Sequence, residues 1–259
     1  MPTAVLEPPP ATEAEPPPAA VGTNPAPRHA APPIRLTNGE TAFLTPGVGS
    51  YADFAEWVAA DDFPADGPFR FAWIDGALEV DMVGADMVLH ETPKSQIGSV
   101  VVARCNRLDI GRGLIDGTIF LLPNAPAGNA PDVAVLTTES LRSGRVVRLP
   151  SVSGRVRACQ GPPDLAVEIV SPTDPAKDAV RLFKAYFEGG VGEYWLVDAT
   201  GGAASLNIFV RGDDKFVPVD VDADGYQRSP LLRTAYRLER FDAADGDPDF
   251  RLLERPDGD

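Results

Sequence analysis

Histidine and cysteine are nearly missing from this 259-residue chain, and long apolar runs are missing altogether. The two histidines, His29 and His90, lie far apart, and His29 falls in a proline-rich stretch, which argues against a multi-histidine metal centre. Cys105 and Cys159 are too few and too distant for a disulfide scaffold or a zinc site, so a reducing cytoplasm is expected. No window of about 18 or more apolar residues occurs, which excludes a membrane-spanning helix. The start Met1-Pro2-Thr3-Ala4-Val5-Leu6-Glu7 has neither the basic residues nor the apolar core of a signal peptide. Positive charge is scarce too: 23 Lys and Arg face 38 Asp and Glu, a net charge of −15. That balance is awkward for a partner rich in phosphate.

The acidic excess is concentrated at the ends. Residues 1–33 carry three Glu against Arg28, and residues 241–259 carry seven acids against two Arg; between them stand 28 acids and 20 bases, or −8. Residues 141–160 contain Arg142, Arg145, Arg148, Arg155 and Arg157 and no acid. This segment of local charge +5 suits either a phosphate-contacting hairpin or a solvated one.

Residues 1–33 hold 11 of the 27 prolines, diluted with alanine, and such a composition cannot bury enough apolar area to fold. A disordered arm is expected there, followed by one folded domain over 34–240 and an acidic tail over 241–259. Within the domain the spacing predicts a short amphipathic helix over 51–60 and a hairpin over 69–80 turning at Asp75-Gly76. A helix opens near Thr92-Pro93, with Ile97, Val101 and Cys105 on its apolar face, and one strand is expected over 113–122. Lys177 to Glu188 reads as a helix with Lys177, Arg181, Lys184 and Glu188 along its polar stripe. Strands mixed with a few helices give an α/β or α+β domain.

Two acids stand out because of the company they keep. Glu168 lies inside Leu165-Ala166-Val167-Glu168-Ile169-Val170, and Asp132 directly precedes Val133-Ala134-Val135-Leu136. Both runs have the near-continuous apolar character of strands covered on both faces. An ionised carboxylate in such a strand needs a cation or hydrogen-bond donors. The 36 residues between the acids are enough for neighbouring strands, and two converging carboxylates make a hard oxygen site suited to Mg²⁺, with Mn²⁺ as an alternative. Taken singly, an acid after proline is a turn residue, and a strand glutamate can be half solvated at a sheet edge or paired with an arginine.

Pro131-Asp132-Val133, then Pro163-Asp164-Leu165-Ala166-Val167-Glu168-Ile169-Val170-Ser171-Pro172, then Tyr186 and Gly190-Val191-Gly192-Glu193-Tyr194-Trp195-Leu196-Val197-Asp198 resemble the Uma-two family of restriction endonucleases. The likeness extends more weakly to Ile74-Asp75-Gly76, His90 and Gly225…Ser229…Leu232, and covers roughly residues 50–240. It implies the PD-(D/E)xK nuclease fold, a mixed central sheet flanked by helices, and a Mg²⁺-dependent phosphodiesterase acting on DNA. On that resemblance Asp132 and Glu168 are the metal-binding and catalytic acids. The chain departs from the pattern in two places. The superfamily lysine two residues after the glutamate is Val170, and the family's lysine four residues before the tyrosine is Leu182. The glutamate that often precedes the family's Asp-Gly turn is Ala72. Lys184 is therefore the candidate catalytic cation, with Arg181 as a phosphate-stabilising alternative that cannot act as a base; on a regular helix Lys184 lies about 200° from position 182.

The resemblance leaves two functions open, a metal-dependent DNA endonuclease and a catalytically silent binding or assembly module on the same fold. A homodimer would let two sites cut both strands. His90 at a helix start, Tyr194 and Trp195 in a short strand, and Asp198 at its end are most simply packing, core and turn residues. Tyr186 offers its hydroxyl to the site or its ring to the core.

Overall fold

Alternation along the strands explains most of the architecture of the computed structural model, which describes residues 34–35, 41–42, 48–65, 69–82, 86–171 and 174–256. The expected arm over 1–33 lies outside the described residues. The chain divides into two units, Met1–Gly47 and Val48–Asp259. In the first, β1 (Ile34–Arg35) pairs antiparallel with β2 (Thr41–Ala42).

The second unit opens with α1 (Tyr51–Ala59). The Ser50 hydroxyl accepts the Asp53 amide at 3.2 Å and donates to the Asp53 carboxylate at 2.8 Å, a reciprocal cap of a free helix end. Strands β3 (Phe69–Ile74) and β4 (Ala77–Met82) form the expected hairpin, and Asp75 and Gly76 both have positive φ, as its two-residue turn requires. A π-helical turn, Met87–Glu91, then leads into α2 (Thr92–Leu108).

The single strand expected over 113–122 is two strands, β5 (Gly111–Ile115) and β6 (Ile119–Leu122). Asp116 and Gly117 break it at φ 55° and 74°, a left-handed turn that strand geometry cannot carry. Next come β7 (Ala127–Asn129), β8 (Val133–Thr137), α2's successor α3 (Thr138–Arg142), and β9 (Val147–Pro150), β10 (Val156–Gln160) and β11 (Leu165–Ile169). The expected helix after β11 begins as a second π-helical segment, Lys177–Leu182, before α4 (Phe183–Gly189). The rest is β12 (Glu193–Asp198), β13 (Ser205–Arg211), β14 (Phe216–Pro218), β15 (Gln227–Ser229), β16 (Thr234–Asp242) and β17 (Pro248–Pro256).

These strands make three sheets, ordered β4-β3-β7-β6-β10-β9, β14-β13-β12-β11-β8-β5 and β15-β16-β17. In the second, β11 runs parallel to β12 and antiparallel to β8, so the sheet is mixed. The protein is thus a mixed α+β fold, as expected. Period-two alternation sends Val133, Val135, Leu165, Val167, Ile169, Trp195 and Val197 into one core with α2 and β17. The alternate residues Ala134, Leu136, Ala166 and Tyr194 enter a second core with Leu182, Ala185 and Tyr186.

The fold corrects the expected acidic tail over 241–259 within its described residues, 241–256. It is not a tail: β17 pairs along its full length with β16, and Phe250 and Leu252 are buried in the first core. Acidic composition masks this strand because Asp245 and Asp247 fall in the exposed turn, Asp249 falls between inward positions and Glu254, in the inward register, is paired with Arg104.

Buried Glu193 ties β12 to the third sheet. Its Oε1 accepts the Trp195 indole N–H at 2.6 Å and its Oε2 the Leu231 amide at 3.1 Å. Glu193→Ala leaves the buried Trp195 donor and the half-buried Leu231 donor without their acceptor, so we expect a loss of about 3 kcal/mol, measured by urea denaturation, with Glu193→Gln losing less.

Candidate active site

Antiparallel pairing brings the two acids together. Ala166 opposes Ala134 and Val167 opposes Val133, so Asp132, one residue before β8, comes level with Glu168. The Ile169 amide, next to Glu168, donates to Asp132 Oδ2 at 2.9 Å. Glu168 follows the alternation of Ala166 and points to the second core. There its Oε1 accepts the Tyr186 hydroxyl at 2.5 Å and the Asn129 amide at 3.0 Å, and Asn129 also donates to the Tyr186 hydroxyl at 2.9 Å. Both acids are buried.

Their surroundings are opposite in charge. Asp132 is ringed by cations: His90 Nε2 lies 3.4 Å from Oδ2, and Lys94 Nζ and Arg70 Nη1 each lie 3.9 Å from Oδ1. Lys94 also pairs with Glu91 at 2.5 Å and Asp116 at 2.9 Å, and Arg70 pairs with Asp116 at 2.6 Å. Burial pushes the Asp132 carboxyl up, but the contact with His90, the Ile169 amide and the charge of Lys94 together hold it below the usual range. Burial likewise pushes His90 down, and Asp132 outweighs it, leaving the imidazole more basic than usual.

Glu168 is subject to the charge of carboxylates instead. Burial, then the charges of Asp132 and Asp178, hold it well above the usual range, against the pull of the Tyr186 hydrogen bond and the Lys177 charge. Asp178, whose Oδ2 accepts the Ser171 amide at 3.1 Å, is pushed up to about 6, chiefly by burial. Lys177 pairs with Asp81 at 2.9 Å, and its charge acts on both Glu168 and Asp178.

Of the candidate residues, Asp132 and Glu168 converge and Tyr186 joins them, while Lys184 does not. Lys184 is 66% exposed, and its partner is Glu188, one turn along the helix, at 3.9 Å. Arg181 is held by Glu79 at 3.1 Å and Asp174 at 2.7 Å. Leu182, at the family's lysine position, is buried in the second core. The chain has four lysines; Lys94 approaches Asp132 and the charge of Lys177 acts on Glu168, their side chains only 3% and 18% exposed. His90 is more than a packing residue, since it touches Asp132. Tyr194 and Trp195 are core, as expected, and Asp198 caps a turn by accepting from Thr200. In the arginine-rich hairpin, Arg145 is turned inward to Asp164 and Ser140.

Sequence reasoning missed Asn129, Arg70, Lys94, Asp116, Lys177 and Asp178. Asn129 left one legible trace, a polar residue three before Asp132 at the end of a short strand. The others read as ordinary surface charges, because each is recruited by a segment distant in the chain.

Among the described residues no group of three or more His, Cys, Asp or Glu is arranged to hold a metal. Two buried carboxylates nonetheless fit a small hard cation, which keeps several waters and needs only one or two protein oxygens. The electrostatic conflict between Asp132 and Glu168 is what such a cation would remove.

Residues 53–239 match the Uma2 family, described as "Putative restriction endonuclease". A crystal structure from Anabaena variabilis ATCC 29413, described as a "putative nuclease belonging to DUF820", is similar in fold. It has a TM-score of 0.50 at 15% identity, covering 71% of this chain and 90% of that one. No curated protein sequence matches the chain. Among the described residues no helix is long and apolar enough to cross a membrane.

Proposed function

Because the chain belongs to the Uma2 family, described as "Putative restriction endonuclease", we propose that it is a divalent-metal-dependent DNA endonuclease working at Asp132 and Glu168. The family supports nuclease function; the metal, the DNA and the residue roles are our reading. The observation that carries it is the convergence of two buried carboxylates from neighbouring strands, one ringed by cations and one held by Tyr186 and Asn129.

Asp132 and Glu168 would hold Mg²⁺ or Mn²⁺, which when bound supplies Lewis acidity and a water acidic enough to attack phosphorus near neutral pH. The side chains have separate tasks. His90, Lys94 and the Ile169 amide keep Asp132 ionised and oriented. Tyr186 and Asn129 hold one oxygen of Glu168, and the other would be available to the cation. Lys177, on the Glu168 side, offers positive charge to the phosphorane-like transition state, the part that Lys184 was expected to play. In the reaction a water oxygen bonds to phosphorus, the bond to one ester oxygen breaks, and that oxygen takes up a proton.

The test is nicking of supercoiled plasmid, and cleavage of single strands, in Mg²⁺ or Mn²⁺ and in EDTA. We expect metal-dependent nicking by the wild type and none by Asp132→Ala. A wild type that cuts no form of DNA in either metal would overturn the nuclease reading and favour a silent binding module, the alternative to which Leu182 and Ala72 point.

A further inference from the structure

Among the described residues three cationic side chains contact Asp132 and the charge of a fourth, Lys177, acts on Glu168; three of the four are already engaged. Lys94 is buried and shared between Glu91, Asp116 and Asp132. His90 lies between Glu91 and Asp132. Lys177 holds Asp81. Arg70 differs in exposure and in geometry. Its side chain is 38% exposed, and only Nη1 is engaged, with Asp116 at 2.6 Å and Asp132 at 3.9 Å. Nε and Nη2 make no hydrogen bond with any described residue.

Its anchor is rigid. Asp116 sits in the left-handed turn between β5 and β6, its amide donates to the Asp132 carbonyl at 3.1 Å, and its second carboxylate oxygen holds Lys94. The guanidinium is therefore pinned by one arm beside the acid pair, while its remaining N–H groups have no partner among the described residues. Strand alternation explains the placement: Ala72 and Ile74 on the same face of β3 are buried in the second core, and Arg70 is where that face comes out to solvent.

We propose that Arg70 binds the substrate phosphodiester, its free N–H groups donating to a non-bridging oxygen of the phosphate seated at Asp132 and Glu168. The inference rests on the nuclease reading and adds the residue that sets the register of the DNA strand. Guanidinium chemistry suits this task, being permanently charged, planar and able to give two parallel hydrogen bonds to phosphate. Pre-anchoring by Asp116 also lowers the side-chain entropy lost on binding.

Arg70→Gln removes the charge and keeps an N–H for Asp116, and Arg70→Lys keeps the charge without the fork. Binding of a fluorescein-labelled DNA duplex is measured in EDTA, where no cleavage occurs, between roughly 50 and 200 mM salt. One lost phosphate contact should make the slope of log K against log salt shallower by about 0.9 in Arg70→Gln, with weaker binding at every sequence tested. Arg70→Lys should restore the slope yet nick plasmid about tenfold more slowly than wild type. Equal melting temperatures establish that the variants are folded; if Arg70→Gln is not, Arg70→Lys decides through its slope and nicking rate. A wild-type slope and affinity in Arg70→Gln, or wild-type nicking in Arg70→Lys, would overturn the assignment. If the wild type binds duplex but never nicks, the nuclease reading fails while the slope still decides the role of Arg70. No binding of duplex by the wild type overturns the role of Arg70 outright.

Discussion

Glu168→Gln should abolish metal-dependent nicking, by on the order of a thousandfold, while leaving the metal-free protein at least as stable as wild type near pH 8. The two effects have one cause. Gln can still accept from Tyr186 and Asn129 through its carbonyl, so the packing and the hydrogen bonds survive. What disappears is a negative charge that the fold disfavours, because burial and the charges of Asp132 and Asp178 raise the Glu168 pKa well above 4.5.

The sign of the pH dependence follows. A carboxyl with a raised folded pKa binds more protons folded than unfolded, so its contribution costs nothing below the unfolded pKa and destabilises as pH rises towards the folded value. For Asp178 the window runs from 3.8 to about 6, worth about 3 kcal/mol across it. Asp132, with a lowered pKa, acts oppositely, and the stability it contributes is lost as pH falls through its folded value. Thermal melts of metal-free protein from pH 5 to 8 should therefore show Glu168→Gln and Asp178→Asn gaining on wild type as pH rises. A bound divalent cation should reverse the ranking for Glu168→Gln. A variant that nicks at the wild-type rate would sink the assignment of Glu168 to the metal.

The second large effect separates two lysines a helix turn or two apart. Lys177→Met should slow nicking by about 10- to 100-fold, and Lys184→Met should change it by less than about twofold, since an exposed pair such as Lys184 with Glu188 contributes little. Loss of activity alone could come from general damage, so metal affinity is the sharper readout. The Lys177 charge acts on Glu168 and Asp178 and would repel a cation held there. Its removal should tighten Mn²⁺ binding, measured calorimetrically, by about tenfold or more, even as turnover falls. Weaker Mn²⁺ binding in Lys177→Met would assign this lysine a structural role through Asp81 instead.

The acid pair was legible in the chain because each acid interrupts or opens a strand whose other residues are apolar. Period-two alternation then dictates that Glu168 shares the face of Ala166. The hairpin at Asp75-Gly76 was legible for a similar reason, a local backbone demand that few residues meet. The cations were not. Regular helical spacing puts Lys184 on the same stripe as Lys177, but the helix begins as a π-helical segment over Lys177–Leu182, where the hydrogen-bond step, and with it the phase of the side chains, changes. That segment places Lys177 on Asp81, where its charge acts on Glu168 and Asp178, and leaves Lys184 in solvent.

The sequence by itself determined the sheet-and-helix class, the two buried acids and the family. Each depends on short periodic patterns that report which face of an element avoids water. Only the tertiary structure decided which charges share the site. Arg70, Asp116, Lys94 and Asp132 come from four separate segments, and their ion pairs span up to 62 residues of chain in the case of Arg70 and Asp132. It also turned the acidic C-terminal stretch into a core strand, because β16 offered a partner edge and the first core could take Phe250 and Leu252. Apolar periodicity is written locally; electrostatic partnership depends on distances that exist only once the chain has folded.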